Sequence, residues 1–523
     1  MNTDYRTIKK SISTISVVMI LMLTAKISGF IRDILILRYM GTTPASQAFT
    51  FASQIPRDFL DAAFAAAISA SFIPVFNSHL EKKSKEEAFG LACNFITLVI
   101  ILAAFFTIVG FLAAGPLASF YLASEGGPET AALGGRLLRI LIFTIFTTAT
   151  AFALTGVLQS LGEFNIPAVM SLVPNVLILA FLLLFFDDMG VYGLASAFLI
   201  GAMLQILIFI PPLRKRGFKF RFRLNLRDKA MVSILRLSPP VLVSAWLFPI
   251  NNLVNSWVVS NFSSAEALVE LRAANTIYLV ITGFFVLSVT NVLFPKLSRE
   301  AAKESSEGKS QFAPILQASL SGVTFLLIPM AVGLWILREP IVRLPLQGGE
   351  FTAESAGNTA YALGLSTIGM LGFGLTTILS RAFFSVMNGK IPMIASLTAI
   401  VVNFAVALAL VGHFGIGAAA LSGALSITFA GAVMLFVMSR KFTIFSGEFL
   451  INVLKMAVSA VVMGAALMFL KSQISNLHDI LIIGIISLSG IVIYGISNLM
   501  FNTKEAEIAK TLVLARFRKD NRQ

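Results

Sequence analysis

The chain has 523 residues, of which 57% are hydrophobic and only 13% are charged, with a formal net charge of +14 and a mean hydropathy of +0.87. Soluble domains carry about 25% charged residues, so this composition excludes a soluble globular protein and indicates a polytopic membrane protein. The apolar segments are long enough for membrane-spanning helices and too long for the short alternating strands of a barrel. The single cysteine, Cys93, excludes a disulfide framework.

Three ionisable residues, Lys26, Arg32 and Asp33, lie within eight positions of the first apolar segment, 12–40. A charged side chain at the centre of a membrane costs at least about 2.5–3.5 kcal/mol, so it usually faces a partner or a wet cavity. Two interpretations follow: an ion pair that joins two helices, or a water-filled cationic cavity for an anionic ligand. Basic residues before the segment resemble the start of a signal peptide. The segment is too long and lacks a small-residue cleavage site, so we interpret it as a retained helix.

Fourteen apolar segments follow one another along the chain, each long enough for a transmembrane helix. With the N-terminus in the cytoplasm, 27 of the 40 Lys and Arg residues fall in inner loops and tails and only 3 in outer loops. This positive-inside signal predicts that both termini are cytoplasmic. It also assigns the basic charge to orientation and to attraction for anionic lipid, rather than to nucleic acid. The segments are 12–40, 46–76, 88–118, 130–161, 164–186, 190–212, 231–260, 267–295, 312–337, 356–388, 391–411, 415–438, 448–470 and 478–500.

An internal repeat relates the two halves of the chain. A shift of 225 residues places Pro167 on Pro392 and Gly190 on Gly415, with further matches between these points. Each repeat unit holds six segments, an even number, so both units would have the same orientation; such parallel repeats are typical of transporters that bind substrate between their halves. The resulting plan is an N-terminal six-helix bundle (1–213), a basic cytoplasmic linker (214–230), a second six-helix bundle (231–441), two extra helices (442–502) and a basic cytoplasmic tail (503–523).

Polar residues inside later segments extend the cationic pattern. Each of them alone fits a structural ion pair or a side chain that reaches a membrane edge, whereas together their cations predict a cationic cavity in the outer half of the membrane. Arginine suits a phosphate-bearing ligand because its planar fork of donors matches phosphate geometry. Pro56 precedes the first of these residues and predicts a kink there. The candidates are Arg57, Asp58, Asp61, Arg136, Arg139, Asn252, Arg272, Asn275 and Arg381.

Catalytic and metal motifs find no support in the sequence. The three histidines, His79, His413 and His478, all lie at segment ends, which gives no metal cluster and no His-based triad. There is no Walker motif for ATP hydrolysis. We therefore predict a transporter that is not an enzyme and needs no cofactor.

Several short motifs distributed over residues 10–500 carry a resemblance to a known family. They are SGFIRD at 28–33, FIP at 72–74, GVLQ at 156–159, IPA at 166–168, PN at 174–175, LFPKLS at 293–298, GEFTAES at 349–355, RAFF at 381–384 and KIP at 390–392. Through them the chain resembles the MviN/MurJ family of lipid II flippases, within the superfamily that also holds multidrug extruders and polysaccharide flippases.

The resemblance implies an all-α fold of fourteen transmembrane helices in a bacterial inner membrane. It implies alternating access that moves an undecaprenyl-linked peptidoglycan precursor from the inner to the outer leaflet. It also implies that Arg32, with Lys26 and Asp33, lines the headgroup cavity, and that the last two helices form a groove for the lipid tail. We expect a monomer in contact with membrane lipids, with the cell-wall synthesis machinery as a further partner.

The sequence departs from the family pattern at three positions. Leu60 and Thr276 stand where an arginine is usual, and Ala65 stands where an acidic residue is usual. Arg57 and Arg272 are the candidates to replace the missing cations, and they complete our predicted substrate-binding set with the three residues of the first segment. The departures leave open a flippase for another undecaprenyl-pyrophosphate-linked oligosaccharide. A cation-coupled multidrug extruder and a non-transporting scaffold are the alternatives from other classes, and the energy source stays open.

Overall fold

The computed structural model describes residues 2–60, 68–124, 126–283, 286, 297, 300, 312–386, 388–442, 447–507 and 510–511. Side chains are described from residue 20 onward, except those at 58–60, 69–70, 240, 244 and 248. Within these ranges the regular elements are helices joined by short turns, and no strand is found. The predicted site residue Asp61 and the side chain of Asp58 lie outside the described residues.

Nine helical stretches of the described ranges are long and apolar enough to cross a membrane, or ten if one bent pair, Ala353–Thr367 with Met370–Ser385, forms a single span. Each of the nine falls on one of the segments predicted from hydropathy. The all-helical, multi-pass membrane class is therefore confirmed. The count of fourteen helices and their grouping into two six-helix bundles stay predictions.

The chain divides into two compact units, of which the first comprises Met1–Leu253, Ser260–Val269 and Gly349–Phe351. The helix Lys229–Ala245 packs in this unit although the repeat assigns it to the second half, and its Ser238 hydroxyl shares a hydrogen bond of 2.9 Å with the Ser71 hydroxyl. The helices of this unit are α1 (Asn2–Met40), α2 (Pro44–Gln54), α3 (Ile73–Lys82), α4 (Lys85–Leu122), α5 (Gly127–Leu141), α6 (Thr144–Ser160), α7 (Asn165–Val169), α8 (Leu172–Leu184), α9 (Phe186–Leu207), α10 (Ile210–Lys215) and α11 (Lys229–Ala245).

The second unit comprises Val254–Val259, Glu270–Gly348 and Thr352–Gln523. The last two helices of this unit, Gly447–Gln473 and Asp479–Met500, pack against the long helix Phe312–Leu346 through buried Met463, Leu467 and Ile486. Helix α12 (Leu247–Phe262) has residues in both units, and the helical stretch 267–283, α13, follows it. The remaining helices are α14 (Phe312–Leu346), α15 (Ala353–Thr367), α16 (Met370–Ser385), α17 (Lys390–Phe414), α18 (Ile416–Lys441), α19 (Gly447–Gln473) and α20 (Asp479–Met500).

Two glycines matched by the repeat share an unusual backbone geometry. Gly190 has φ 56° and ψ −150°, and Gly415 has φ 51° and ψ −126°. A residue with a side chain is strained in this region of the Ramachandran plot, so glycine permits the sharp break. The equivalent positions of the two halves thus break their helices in the same way.

The proline predicted to kink the second segment lies in a widened turn. Helix α2 ends at Gln54 and continues as a π-helix over Ile55–Leu60, which includes Pro56. Proline has no N–H and its ring clashes with the carbonyl four residues earlier, so a regular α-helix cannot continue through it. The wider turn is a common form of such an interruption, and it carries Arg57.

A close backbone contact fixes the end of α1, the helix that carries Arg32 and Asp33. Gly41 follows the helix with φ 53°, and a β-carbon placed on it would lie 2.1 Å from the carbonyl oxygen of Glu350. The Glu350 N–H in turn donates to the carbonyl of Arg38 at 3.0 Å. Only glycine fits this approach, because any side chain would overlap the facing backbone.

Candidate functional site

Arg32 and Asp33 form a tight ion pair on α1. The guanidinium donates through Nε at 2.9 Å and through Nη2 at 2.7 Å to the same carboxylate oxygen, Oδ1. Their side chains are only 11% and 17% exposed. Neighbouring residues on a helix do not normally face each other, so the long arginine side chain has to bend toward the aspartate. A charged pair with several hydrogen bonds can be held in such a partly buried place.

Asn175 of α8 fixes the remaining edge of the Arg32 guanidinium. Arg32 Nη1 donates to Asn175 Oδ1 at 2.7 Å. The amide nitrogen of Asn175 donates back to α1, to the Ala25 carbonyl and the Ser28 hydroxyl, both at 3.1 Å. These bonds determine which way the amide points, because its nitrogen has two acceptors and its oxygen has a donor. Asn175 therefore links two helices and orients the arginine.

A glycine and an aromatic ring complete the surroundings of Arg32. A β-carbon on Gly29 would lie 3.2 Å from the Asn175 amide nitrogen, so the missing side chain lets α8 approach α1. The guanidinium carbon of Arg32 lies 5.4 Å from the centre of the Phe198 ring of α9. At this distance the ring face attracts a cation.

Arg57 reaches the same carboxylate from another segment. Its Nη2 lies 3.4 Å from Asp33 Oδ2, so each oxygen of Asp33 contacts one arginine. The Arg57 side chain is 40% exposed, far more than that of Arg32. An ion pair this exposed contributes about 0–1 kcal/mol, so an incoming anion could compete for Arg57. Arg32, Asp33 and Arg57 together carry one net positive charge, and the Arg57 side chain is the more exposed of the two arginines.

Four other predicted residues lie in the first unit. Lys26 and Arg136 are exposed, and Arg139 lies over the Phe111 ring at 5.8 Å. Asn252 is 8% exposed on α12. Within the described residues, Lys26, Arg136 and Arg139 form no ion pair with the three residues of the cluster.

The remaining candidates belong to the second unit. Arg272 and Asn275 are half-buried on α13, and the backbone carbonyl of Arg272 accepts a hydrogen bond from the Thr276 hydroxyl at 3.0 Å. Arg381 is half-buried on α16. Over the described ranges no group of three His, Cys, Asp or Glu residues could hold a metal ion.

Sequence reasoning did not select Asn175, Ser28 or Phe198 as site residues. The available signal was an amide in the interior of the apolar segment 164–186, because a polar group at membrane depth needs a partner. Its partner could not be identified, since the sequence does not say which helices are neighbours.

Comparison with known proteins identifies relatives over most of the chain. A family model described as lipid II flippase MurJ matches residues 36–488. A probable lipid II flippase MurJ of Bdellovibrio bacteriovorus is 28% identical over 426 residues, covering 80% of each chain. A protein of the same description from Vibrio cholerae is 28% identical over 393 residues, covering 73% of this chain and 74% of the relative.

Two solved structures extend the comparison to the fold. A lipid II flippase MurJ in an inward closed conformation has a TM-score of 0.77 and 23% identity, covering 92% of this chain and 98% of that one. An inward-facing multidrug resistance transporter of the MATE family, in the MOP superfamily, has a TM-score of 0.65 and 17% identity, covering 81% and 97%. At these identities the structures are similar in fold alone.

Proposed function

The chain belongs to the MurJ family of lipid II flippases, and we propose that it moves lipid II from the cytoplasmic to the outer leaflet of the bacterial inner membrane by alternating access. Lipid II would leave one leaflet, cross with its headgroup in a polar cavity and enter the other leaflet for cell-wall synthesis. The chain would act as a transporter and catalyse no reaction.

The observation that carries this proposal is the charge of the cluster on α1. Arg32 is held by Asp33 and Asn175 with its guanidinium in a fixed orientation, while the Arg57 side chain is 40% exposed and its Nη2 lies 3.4 Å from the Asp33 carboxylate. We infer that Arg57 leaves Asp33 to bind the pyrophosphate and that Arg32 provides a preorganised positive charge beside it. Lys26 and Arg272 would contribute further positive charge when the headgroup is present.

The same charge argues against a multidrug extruder for cationic compounds. Such a carrier needs an acidic group that is available to the drug, whereas both oxygens of Asp33 contact arginines. The likeness to MATE transporters concerns the fold and does not change this chemistry. A flippase for another undecaprenyl-pyrophosphate-linked oligosaccharide has the same phosphate chemistry and stays the second candidate, because Leu60, Ala65 and Thr276 depart from the family pattern.

Topology and the lipid tail complete the proposal. The distribution of Lys and Arg favours cytoplasmic termini. Helices α19 and α20 pack on α14 in the second unit and carry many exposed apolar side chains, which suits a groove for the undecaprenyl tail. We also propose that the chain acts as a monomer and that it contacts the cell-wall synthesis machinery.

Genetic complementation tests the proposed function. The full chain is expressed in a bacterium depleted of its own lipid II flippase, beside the Arg32→Ala variant and an Arg440→Ala control of matched charge change. We expect growth to be restored by the wild type and the control but not by Arg32→Ala, at equal abundance in the membrane. Failure of the wild type, together with rescue of a strain that lacks a polysaccharide flippase, would favour the second candidate.

A further inference from the structure

The linker between the two halves contains a regular alternation of apolar and basic residues. Residues 218–227 read FKFRFRLNLR, with phenylalanine or leucine at every even position and Lys, Arg or Asn at every odd one. In an extended chain, successive side chains point to opposite faces, so this pattern gives one apolar and one basic face. We call residues 218–227 the basic strap.

The strap is fixed along α4 by side chains of that helix. Asn94 donates through Nδ2 to the Asn225 carbonyl at 2.8 Å and accepts from the Asn225 N–H at 2.7 Å. Further strap backbone groups bond to the Thr97 hydroxyl at 3.2 Å and to Cys93 Sγ at 3.4 and 3.6 Å. All these bonds involve backbone groups of alternate strap residues, as expected for an extended chain lying with one edge on a helix. The strap side chains thus stay available for other contacts.

The position of the strap on α4 corresponds to a membrane boundary. Residues 91–97 of α4 are all buried, whereas exposed apolar side chains begin at Ile101 and Leu102 and continue with Phe105 at 58% exposure. With a rise of about 1.5 Å per residue, position 97 lies about 6 Å from the start of this exposed apolar belt. In the other direction α4 begins with charged residues at 85–87. The strap therefore lies where the hydrocarbon meets the polar headgroups.

The strap exposes both of its faces. Phe222 is 70% exposed, and Phe220, Leu224 and Leu226 are 45%, 45% and 46% exposed, while buried Phe218 packs edge-on against Phe89. The basic side chains of the strap are exposed as well. Four exposed apolar groups in a row would be unfavourable in water, and they suit insertion beside acyl chains.

We propose that the basic strap is a docking site for anionic glycerophospholipids of the surrounding membrane. Its phenylalanine and leucine side chains insert at the acyl boundary, and Lys219, Arg221 and Arg227 bind headgroup phosphates. The positive-inside rule requires only basic residues near a membrane span. It explains neither the strict alternation of apolar and basic residues nor the hydrogen bonds that fix the strap to α4. The proposal does not depend on the transported substrate, because the ligand is a resident lipid.

Fluorescence quenching in vesicles tests the proposal on the full chain. Phe222→Trp places a reporter at the most exposed position, and the unsubstituted chain supplies the background from the three native tryptophans. The protein is reconstituted with brominated phosphatidylglycerol or brominated phosphatidylcholine, with no lipid-linked glycan present. We expect strong quenching by both lipids and a preference for phosphatidylglycerol, at about fivefold for each basic residue engaged.

Matched variants separate specific docking from general charge. Lys219→Gln, Arg221→Gln and Arg227→Gln are combined with the reporter, and the control combines Lys82→Gln, Lys83→Gln and Lys85→Gln. These substitutions alter side chains only, so the hydrogen bonds between the strap backbone and the side chains of α4 are retained. We expect the strap triple to bring the two lipids to equal quenching and the control to keep the preference.

Two results would overturn the proposal. A reporter that neither lipid quenches would place the apolar face against water or protein, and quenching by aqueous acrylamide would identify water. Equal quenching by both lipids before any charge is removed, or equal loss of the preference in both triples, would exclude headgroup binding by the strap.

Discussion

Replacing Asn175 separates the orienting role of this residue from the charge of the cluster. Asn175→Leu removes the oxygen that accepts from Arg32 Nη1 at 2.7 Å. A hydrogen bond to a charged group contributes about 1.5–3 kcal/mol, and water cannot easily replace it because the Arg32 side chain is only 11% exposed. The substitution also removes the amide N–H groups that donate to the Ala25 carbonyl and the Ser28 hydroxyl. The loss of these bonds costs little, because the Ala25 carbonyl still accepts from the Ser28 hydroxyl at 2.9 Å. We expect unfolding free energy to fall by about 2 kcal/mol.

Asn175→Asp has nearly the same shape and keeps an acceptor for Arg32, but it adds a negative charge. The Ser28 hydroxyl, 3.1 Å from the amide nitrogen, can turn to donate to the new oxygen, whereas the Ala25 carbonyl at the same distance would face that oxygen without a hydrogen bond. Counted together with the new carboxylate at position 175, the cluster of Arg32, Asp33 and Arg57 would have no net charge. We expect this variant to stay folded and to lose affinity for an anionic headgroup.

Thermal unfolding in detergent and lipid II translocation in vesicles measure the two effects side by side. We expect Asn175→Leu to lower both the unfolding temperature and the translocation rate, the latter at least about tenfold if the orientation of Arg32 matters as much as its bond energy suggests. Asn175→Asp should stay folded, because the hydrogen bond with Arg32 is retained, and should lower translocation. Wild-type translocation by Asn175→Asp would refute the role of net charge, and unchanged stability of Asn175→Leu would refute the hydrogen-bond argument.

The other predictions use the same assays or simple labelling. Arg32→Ala should abolish translocation at normal membrane abundance and Arg32→Lys should restore it only in part, because lysine lacks the planar fork; loss of the protein from the membrane would instead indicate a structural ion pair. Arg57→Leu should lower translocation and adding Leu60→Arg should restore it in part, because a long arginine side chain can carry its charge about one turn along the helix; full activity of the single variant would remove Arg57 from the site. Cysteine labelling should place the 214–229 loop in the cytoplasm, and an outer location would contradict the two-bundle plan. Gly41→Ala should lower the unfolding temperature by an amount that corresponds to at least about 1–2 kcal/mol, because φ is 53° there; an unchanged temperature would contradict the close contact at the end of α1.

Local features of the fold followed from sequence because their causes are local. Long apolar runs indicated the helical segments, and Pro56 indicated the interruption of the second one. Arg32, Asp33 and Arg57 could be singled out because ionisable groups at membrane depth require partners. The geometry of the interruptions was not predictable, since a glycine permits a positive φ but does not require one.

The arrangement of the site depends on which helices are neighbours, and this is a tertiary property. Asn175 bonds to Arg32 across 143 positions of sequence, and no periodicity within either segment indicates that pairing. The surroundings of Arg139 are likewise tertiary. Its guanidinium lies over the Phe111 ring at 5.8 Å, a contact that its position inside a predicted segment did not indicate.

Transport of lipid II by the purified chain tests the central claim most directly. The protein is reconstituted into vesicles that hold lipid II in one leaflet, and the fraction that becomes accessible to an externally added enzyme is followed over time. We predict translocation by the wild type and by the Arg440→Ala control, and none by Arg32→Ala. Equal translocation by Arg32→Ala and the wild type would contradict the claim that the arginine cluster on α1 binds the headgroup.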